Sequence, residues 1–184
     1  ALVRRHMPDI AGALWFGHDG NRGDALRFGA ALGAAARHLG AYQGHGSVAD
    51  PGGVLITWAL IGAGGFQANA EGRRFWDESR GYSEAARVVL AQPGGVAWMI
   101  FDERIAGVAR QFADFRTAEA LGVVRGAETI DALAAACGLP ADALAETAAA
   151  VSAAKAGAPD AHGRAWDGLP DLAAPFRAVR VTGA

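Results

Sequence analysis

Glycine and alanine fill more than a third of this chain, with 26 glycines and 45 alanines among its 184 residues. Side chains this small let backbones approach closely. Clusters such as Gly62-Ala63-Gly64-Gly65 cannot sit inside a helix, because ordering glycine costs the most backbone entropy. The chain must therefore be built of short elements joined by many bends. Its length suits one domain, or two pieces of a larger one. Hydrophobic residues make up 52% of it, enough for a packed core and too many for wholesale disorder. The 17 Lys and Arg nearly balance 19 Asp and Glu, which argues against a nucleic-acid partner. The single cysteine, Cys137, excludes an intrachain disulfide framework and a Cys-rich zinc module. No apolar run reaches the roughly 18 residues of a membrane helix, so no membrane span is expected. The first residues lack a cationic head and apolar stretch, so no signal peptide is read there and a cytoplasmic location is expected.

Three zones follow from the punctuation. In the first, Ala1 to Asp50, a short helical start precedes the turn Gly17-His18-Asp19-Gly20-Asn21. A helix is then predicted over Asp24 to Leu39, with Asp24 in its first turn and Gly40 as its stop. In the second zone, Phe66 to Asn69 alternates as a strand, Glu71-Gly72 reads as a hairpin tip and Arg73 to Trp76 as its return. Ser83 to Leu90 is helical, and Val96 to Phe101 reads as a buried strand. In the third, Asp102 caps a helix running towards Phe112. Thr129 opens one ending at Cys137, and Ala141 to Lys155 forms another. Ala156 to Leu172 is a long loop. Phe176 to Thr182 is a strand, expected at an edge or as half of a divided sheet.

The residues taken alone offer little complete chemistry. The five histidines form no HExxH or paired helical ligands, so no metal site is expected. Ser47 lies in Gly44-His45-Gly46-Ser47-Val48-Ala49, which fails the Gly-x-Ser-x-Gly nucleophile elbow. Cys137 at an apolar helix end suits burial better than nucleophilic attack. No Gly-x-Gly-x-x-Gly follows a strand and opens a helix, so a complete dinucleotide cradle is not expected. Glu71, Asp77, Glu78 and Glu84 cluster in sequence near Arg73, Arg74 and Arg80, as a salt-bridged surface or as a proton path or substrate lip.

A longer pattern is more specific. The run Gly52-Gly53-Val54-Leu55-Ile56-Thr57, followed by Gly64 to Glu78, resembles the FAD-dependent fumarate reductase/succinate dehydrogenase flavoprotein superfamily. The likeness is to its soluble FAD-binding members, such as the fumarate reductase flavoprotein-like, tricarballylate dehydrogenase-like and 3-ketosteroid dehydrogenase-like enzymes. Asn69, Gly72, Arg74, Phe75 and Glu78 meet the signature Asn-x-x-Gly-x-Arg-Phe-x-x-Glu. Gly23-Asp24, the run Ala97 to Asp102 and the final strand add to the likeness. It implies an α+β fold: the capping, or substrate, domain of that flavoprotein fold with partial flanking FAD-domain elements. Residues 1–50 would end the first FAD-domain segment, 51–172 would form the cap, and 173–184 would return to the FAD domain.

The resemblance also implies a function. The chain would be a fragment of an FAD-dependent oxidoreductase acting on a C–C bond beside a carbonyl or carboxylate, with hydride passing through flavin N5. FAD would belong to the full-length parent and be absent or weak in this chain, which is expected to lack the dinucleotide-binding motif. The substrate would be a small carboxylate or ketone. His45 matches the family histidine that binds a substrate carboxylate, and Thr57 a substrate-contacting threonine; Ser47 joins them as a substrate-binding residue. Gly23 and Asp24 would bind the cofactor. Trp58 and Ile61 replace charged groups of the reductases' proton path, and Tyr82 stands where they carry a catalytic arginine. Arg80 reaches that place only through a shift of register. Tyr82 and His45 are therefore the catalytic candidates. The alternative is a cofactor-free cap-like binding or assembly module, and an exposed Gly62–Gly65 cluster would allow self-association.

Overall fold

A computed structural model describes residues 2–184. Five strands form one antiparallel sheet: β1 (Val48–Ala49), β2 (Phe66–Ala68), β3 (Val96–Asp102), β4 (Val124–Ala127) and β5 (Phe176–Thr182). The order is β1-β5-β3-β2, and β4 also pairs with β5. β3 covers one edge of β5 along its whole length, from Val96 opposite Thr182 to Asp102 opposite Phe176. The other edge is shared. β1 sets Val48 and Ala49 opposite Thr182 and Val181, and β4 runs from Val124 opposite Val179 to Ala127 opposite Phe176. β5 is thus the centre of the sheet, not an edge strand. Its partners lie far away in sequence, where no local pattern reports them.

The described residues also form eight helices: α1 (Leu2–His6), α2 (Asp24–Ala31), α3 (Ala59–Gly62), α4 (Tyr82–Leu90), α5 (Glu103–Ala109), α6 (Ala113–Ala120), α7 (Ile130–Cys137) and α8 (Ala141–Lys155). Alternation along the strands splits the core in two. Ala97, Met99 and Phe101 of β3 and Val179 and Val181 of β5 face one side. There they pack with Leu60, Val89, Ile105, Ala106 and Phe115 of α3 to α6. Trp98, Ile100 and Ala178 face the other, against Leu133, Leu144 and Val151 of α7 and α8. Covered on both faces, β3 reads as a continuous apolar run rather than an alternating one.

The predicted caps are in place. Asp102 Oδ1 accepts from the Ile105 amide at 2.8 Å and Thr129 Oγ1 from the Ala132 amide at 3.1 Å. Other expectations are corrected. α2 stops at Ala31, and Gly33 (φ +78°) turns the chain well short of Leu39. The helix expected from Asp102 to Phe112 ends at Ala109, and α6 starts afresh after Phe112. Arg73 to Trp76 form no strand. Asn69 Oδ1 instead accepts from the Glu71 and Arg73 amides at 3.0 and 3.1 Å and closes the loop on itself. Gly64 and Gly65 are buried rather than exposed. A Cβ on Gly65 would come within 2.8 Å of the Leu60 carbonyl oxygen and 2.9 Å of that of Ile100, so the glycine permits a close backbone crossing.

Candidate functional site

The segment leading into β1 passes over the start of α4 at very short range. A Cβ on Gly44 would lie 2.7 Å from Ala86 Cβ, and one on Gly46 would overlap Ala85 and come within 2.8 Å of its Cα. Two glycines therefore lay His45 against the helix. The Gly46 amide donates to the Tyr82 carbonyl at 3.0 Å. The His45 amide donates to the Ala184 carbonyl at 2.8 Å, and the Ala184 amide returns to the His45 carbonyl at 2.9 Å. Gly81, at φ +100°, turns the chain so that Tyr82 is the first residue of α4. The two rings then stack, with centroids 4.9 Å apart and planes at 27°.

His45 and Tyr82 form one wall of a cavity of about 330 Å³, completed by Leu55, Thr57, Trp58, Ala59, Phe112 and Asp114. Among the described residues its lining has no Lys or Arg, and Asp114 is its one carboxylate. Burial holds the His45 imidazole below its ordinary pKa, which favours the neutral ring. His45 Nδ1 is sealed from solvent and has no hydrogen-bond partner. With the proton on Nε2, Nδ1 carries only a lone pair there and the ring can donate from Nε2. Thr57 Oγ1 accepts from the Ala59 amide at 3.2 Å at the start of α3, which leaves its own proton to donate. Tyr82 is 42% exposed, so its phenol is reachable. The arrangement offers three hydrogen-bonding side chains around an otherwise apolar space.

The other expected residues lie elsewhere. Ser47 is fully buried and its Oγ has no partner, so it does not line the cavity. Gly23 (φ +76°) and Asp24 open α2, apart from the cavity lining, and Asp24 pairs with Arg27 at 3.1 Å. The Arg74–Glu78 pair is internal rather than a surface lip. Arg74 reaches Glu78 at 2.6 Å and also contacts Asp160, while Arg164 reaches Glu78 at 3.3 Å. Glu78 further accepts from the Gln67 amide at 3.0 Å. These residues clamp β2 to the long loop before β5. Sequence reasoning missed Phe112 and Asp114 as cavity residues. Phe112 caps the start of α6 and Asp114 lies in its first turn, and no local motif marks them. Among the described residues there is no cluster of three or more metal-ligating side chains, and no helix is long and apolar enough to cross a membrane.

Known proteins are similar to this chain in fold and in sequence. Over 147 residues the chain is 31% identical to fumarate reductase (cytochrome) of Shewanella frigidimarina, covering 80% of this chain and 25% of that protein. The chain thus spans about a quarter of the length of that curated relative. The open conformation of a flavocytochrome c3 fumarate reductase superposes with a TM-score of 0.80 at 24% identity, over 100% of this chain and 32% of that one. The 3-ketosteroid delta1-dehydrogenase of Sterolibacterium denitrificans, in complex with 1,4-androstadiene-3,17-dione, gives 0.71 at 21% identity, over 98% of this chain and 38% of that one. At these identities the two structures establish the fold alone.

A family model described as FAD binding domain matches residues 1–184. It overturns the expectation of a capping domain with partial flanking elements, because the match to the FAD-binding sequence pattern runs the whole length. The expectations that the chain lacks the dinucleotide-binding motif, and that FAD is absent or weak in it, fall with it. One local glycine spelling is a poorer guide to flavin binding than a pattern distributed over the entire chain. The chain belongs to the FAD binding domain family.

Proposed function

We propose that this chain is part of an FAD-dependent oxidoreductase that adds or removes hydrogen across a C–C bond next to a carbonyl. The observation that carries the reading is the stacked His45–Tyr82 pair on the wall of a cavity with no cationic side chain in its lining. A dicarboxylate such as fumarate would meet Asp114 there and no permanent positive charge to offset its desolvation. A neutral ketone would meet Leu55, Trp58, Ala59 and Phe112 along its apolar body.

FAD fits the start of α2. Gly23 supplies no side-chain cap, so the first amides of that helix lack a side-chain acceptor, and the Asp24 carboxylate stands beside them. The amides can donate to phosphate oxygens, and the carboxylate can accept from a hydroxyl of the sugar or ribityl chain. Gly23 and Asp24 would hold it, and when bound it supplies the ring that gives or takes hydride. The chain's own residues do the rest. His45, protonated on Nε2, and Thr57 would donate to the carbonyl oxygen and favour the enolate character that develops there. Tyr82 would exchange the proton at the carbon on the carbonyl side. The hydrophobic walls would keep water from the reacting bond.

Tyr82→Phe tests the reading. With a neutral cyclic enone as oxidant, turnover should fall by roughly 100-fold, the usual scale of a general acid, while flavin content stays unchanged. Unchanged turnover would remove Tyr82 from the chemistry. Fumarate reduced as fast as the enone would overturn the neutral-ketone assignment.

A further inference from the structure

A second cleft lies on the opposite face of the sheet from the His45 cavity, where β4, β5 and α7 meet. It encloses about 420 Å³ and is lined by Asp50, Trp98, Leu121, Val123, Arg125, Cys137 and Arg180 among others. Register explains the grouping. Trp98 of β3 is paired with Arg180 of β5, and Arg125 of β4 is paired with Ala178, two residues before Arg180. Residues two apart on a strand share a face, so both guanidinium groups and the indole collect on one side.

The polar groups here are nearly all donors. Arg180 is tied to Asp50, with Nη2 3.1 Å from Oδ2 and Nε donating to the Asp50 carbonyl at 2.8 Å. Arg125 has no ion pair among the described residues, and the Trp98 indole N–H donates to no protein acceptor among them. The lining therefore carries two cations, one anion already engaged by Arg180, and an unused indole donor. Leu121 is 54% exposed, and with Val123 and Pro51 it supplies an apolar rim. Burial pushes the Cys137 thiol up to about 11, so it adds no negative charge.

We propose that this cleft binds a small aromatic carboxylate, with its carboxylate on Arg125 and the Trp98 N–H and its ring against Leu121, Val123 and Pro51. The positive excess selects an anion, and the apolar rim selects one with a flat hydrocarbon body rather than a bare oxyanion. The site is independent of the redox reading, because none of these residues lines the His45 cavity.

Calorimetric titration of the purified protein with benzoate tests it. Saturable binding is expected, weakened at least tenfold in Arg125→Gln and largely kept in Arg125→Lys, with thermal midpoints unchanged because Arg125 is exposed. Benzoate should also slow alkylation of Cys137, the one thiol of the chain and part of the cleft wall. No saturable heat, equal affinity in Arg125→Gln, or equal binding of inorganic phosphate would each overturn the proposal. Binding of benzoate that leaves Cys137 alkylation unchanged would place it elsewhere and overturn it too.

Discussion

At the scale of single residues, burial decides what each polar group can do. His45 and Ser47 are two positions apart, yet one opens on a cavity and the other is sealed in the interior. The Ser47 hydroxyl has no partner and gives up its hydration for nothing in return. Ser47→Ala should therefore leave stability unchanged or raise it by about 1 kcal/mol, and leave turnover intact. Thermal melts and steady-state rates check this, and a tenfold loss of turnover would give the hydroxyl a direct role. The sequence placed His45, Ser47 and Thr57 together through family likeness, which carries positions but not burial. The cap residues Asp102 and Thr129 were legible because their bonds close within three residues. Asp114 was not, because its place in the cavity depends on how α6 packs.

At the scale of elements, close approach of the segment before β1 to α4 sets the site. The spacing Gly44-x-Gly46 against Ala85 and Ala86 leaves no room for even a methyl group. Gly46→Ala should cost about 3 kcal/mol, the upper end of what overpacking costs, measured by urea unfolding. It should also separate the His45 and Tyr82 rings, with a fall in turnover out of proportion to the unfolded fraction. The glycine excess of the sequence marked close approaches in general without saying which helix is approached. The hairpin reading of Arg73 to Trp76 misleads in a similar way. It takes the segment as a return strand, but the Arg74 side chain is turned inward to Glu78 and Asp160. Burying a guanidinium is tolerated only with such partners, and a partner 86 residues away leaves no local trace.

At the scale of the whole molecule, that ionic network joins the signature loop to the loop before β5. Burial works to raise the Asp160 pKa, but hydrogen bonds from Trp166, Arg74 and the His162 amide outweigh it and hold the carboxyl well below its usual range. A carboxylate lowered on folding adds stability that is present above its unfolded pKa, near 4, and is lost as pH falls towards its folded value. Unfolding followed against pH should show stability declining below about pH 4, and Asp160→Asn should flatten that limb. An unaltered limb would place the acid sensitivity in other groups. The position of β5 has a kinetic consequence. Strands β1, β3 and β4 all pair with it, across sequence separations as long as that from Val48 to Thr182. Helices can form early from local contacts, but the sheet has no short-range route to assembly. Until residues 176–182 dock, the apolar β3 has most of its ladder open, and a refolding chain is most prone to aggregate in that interval.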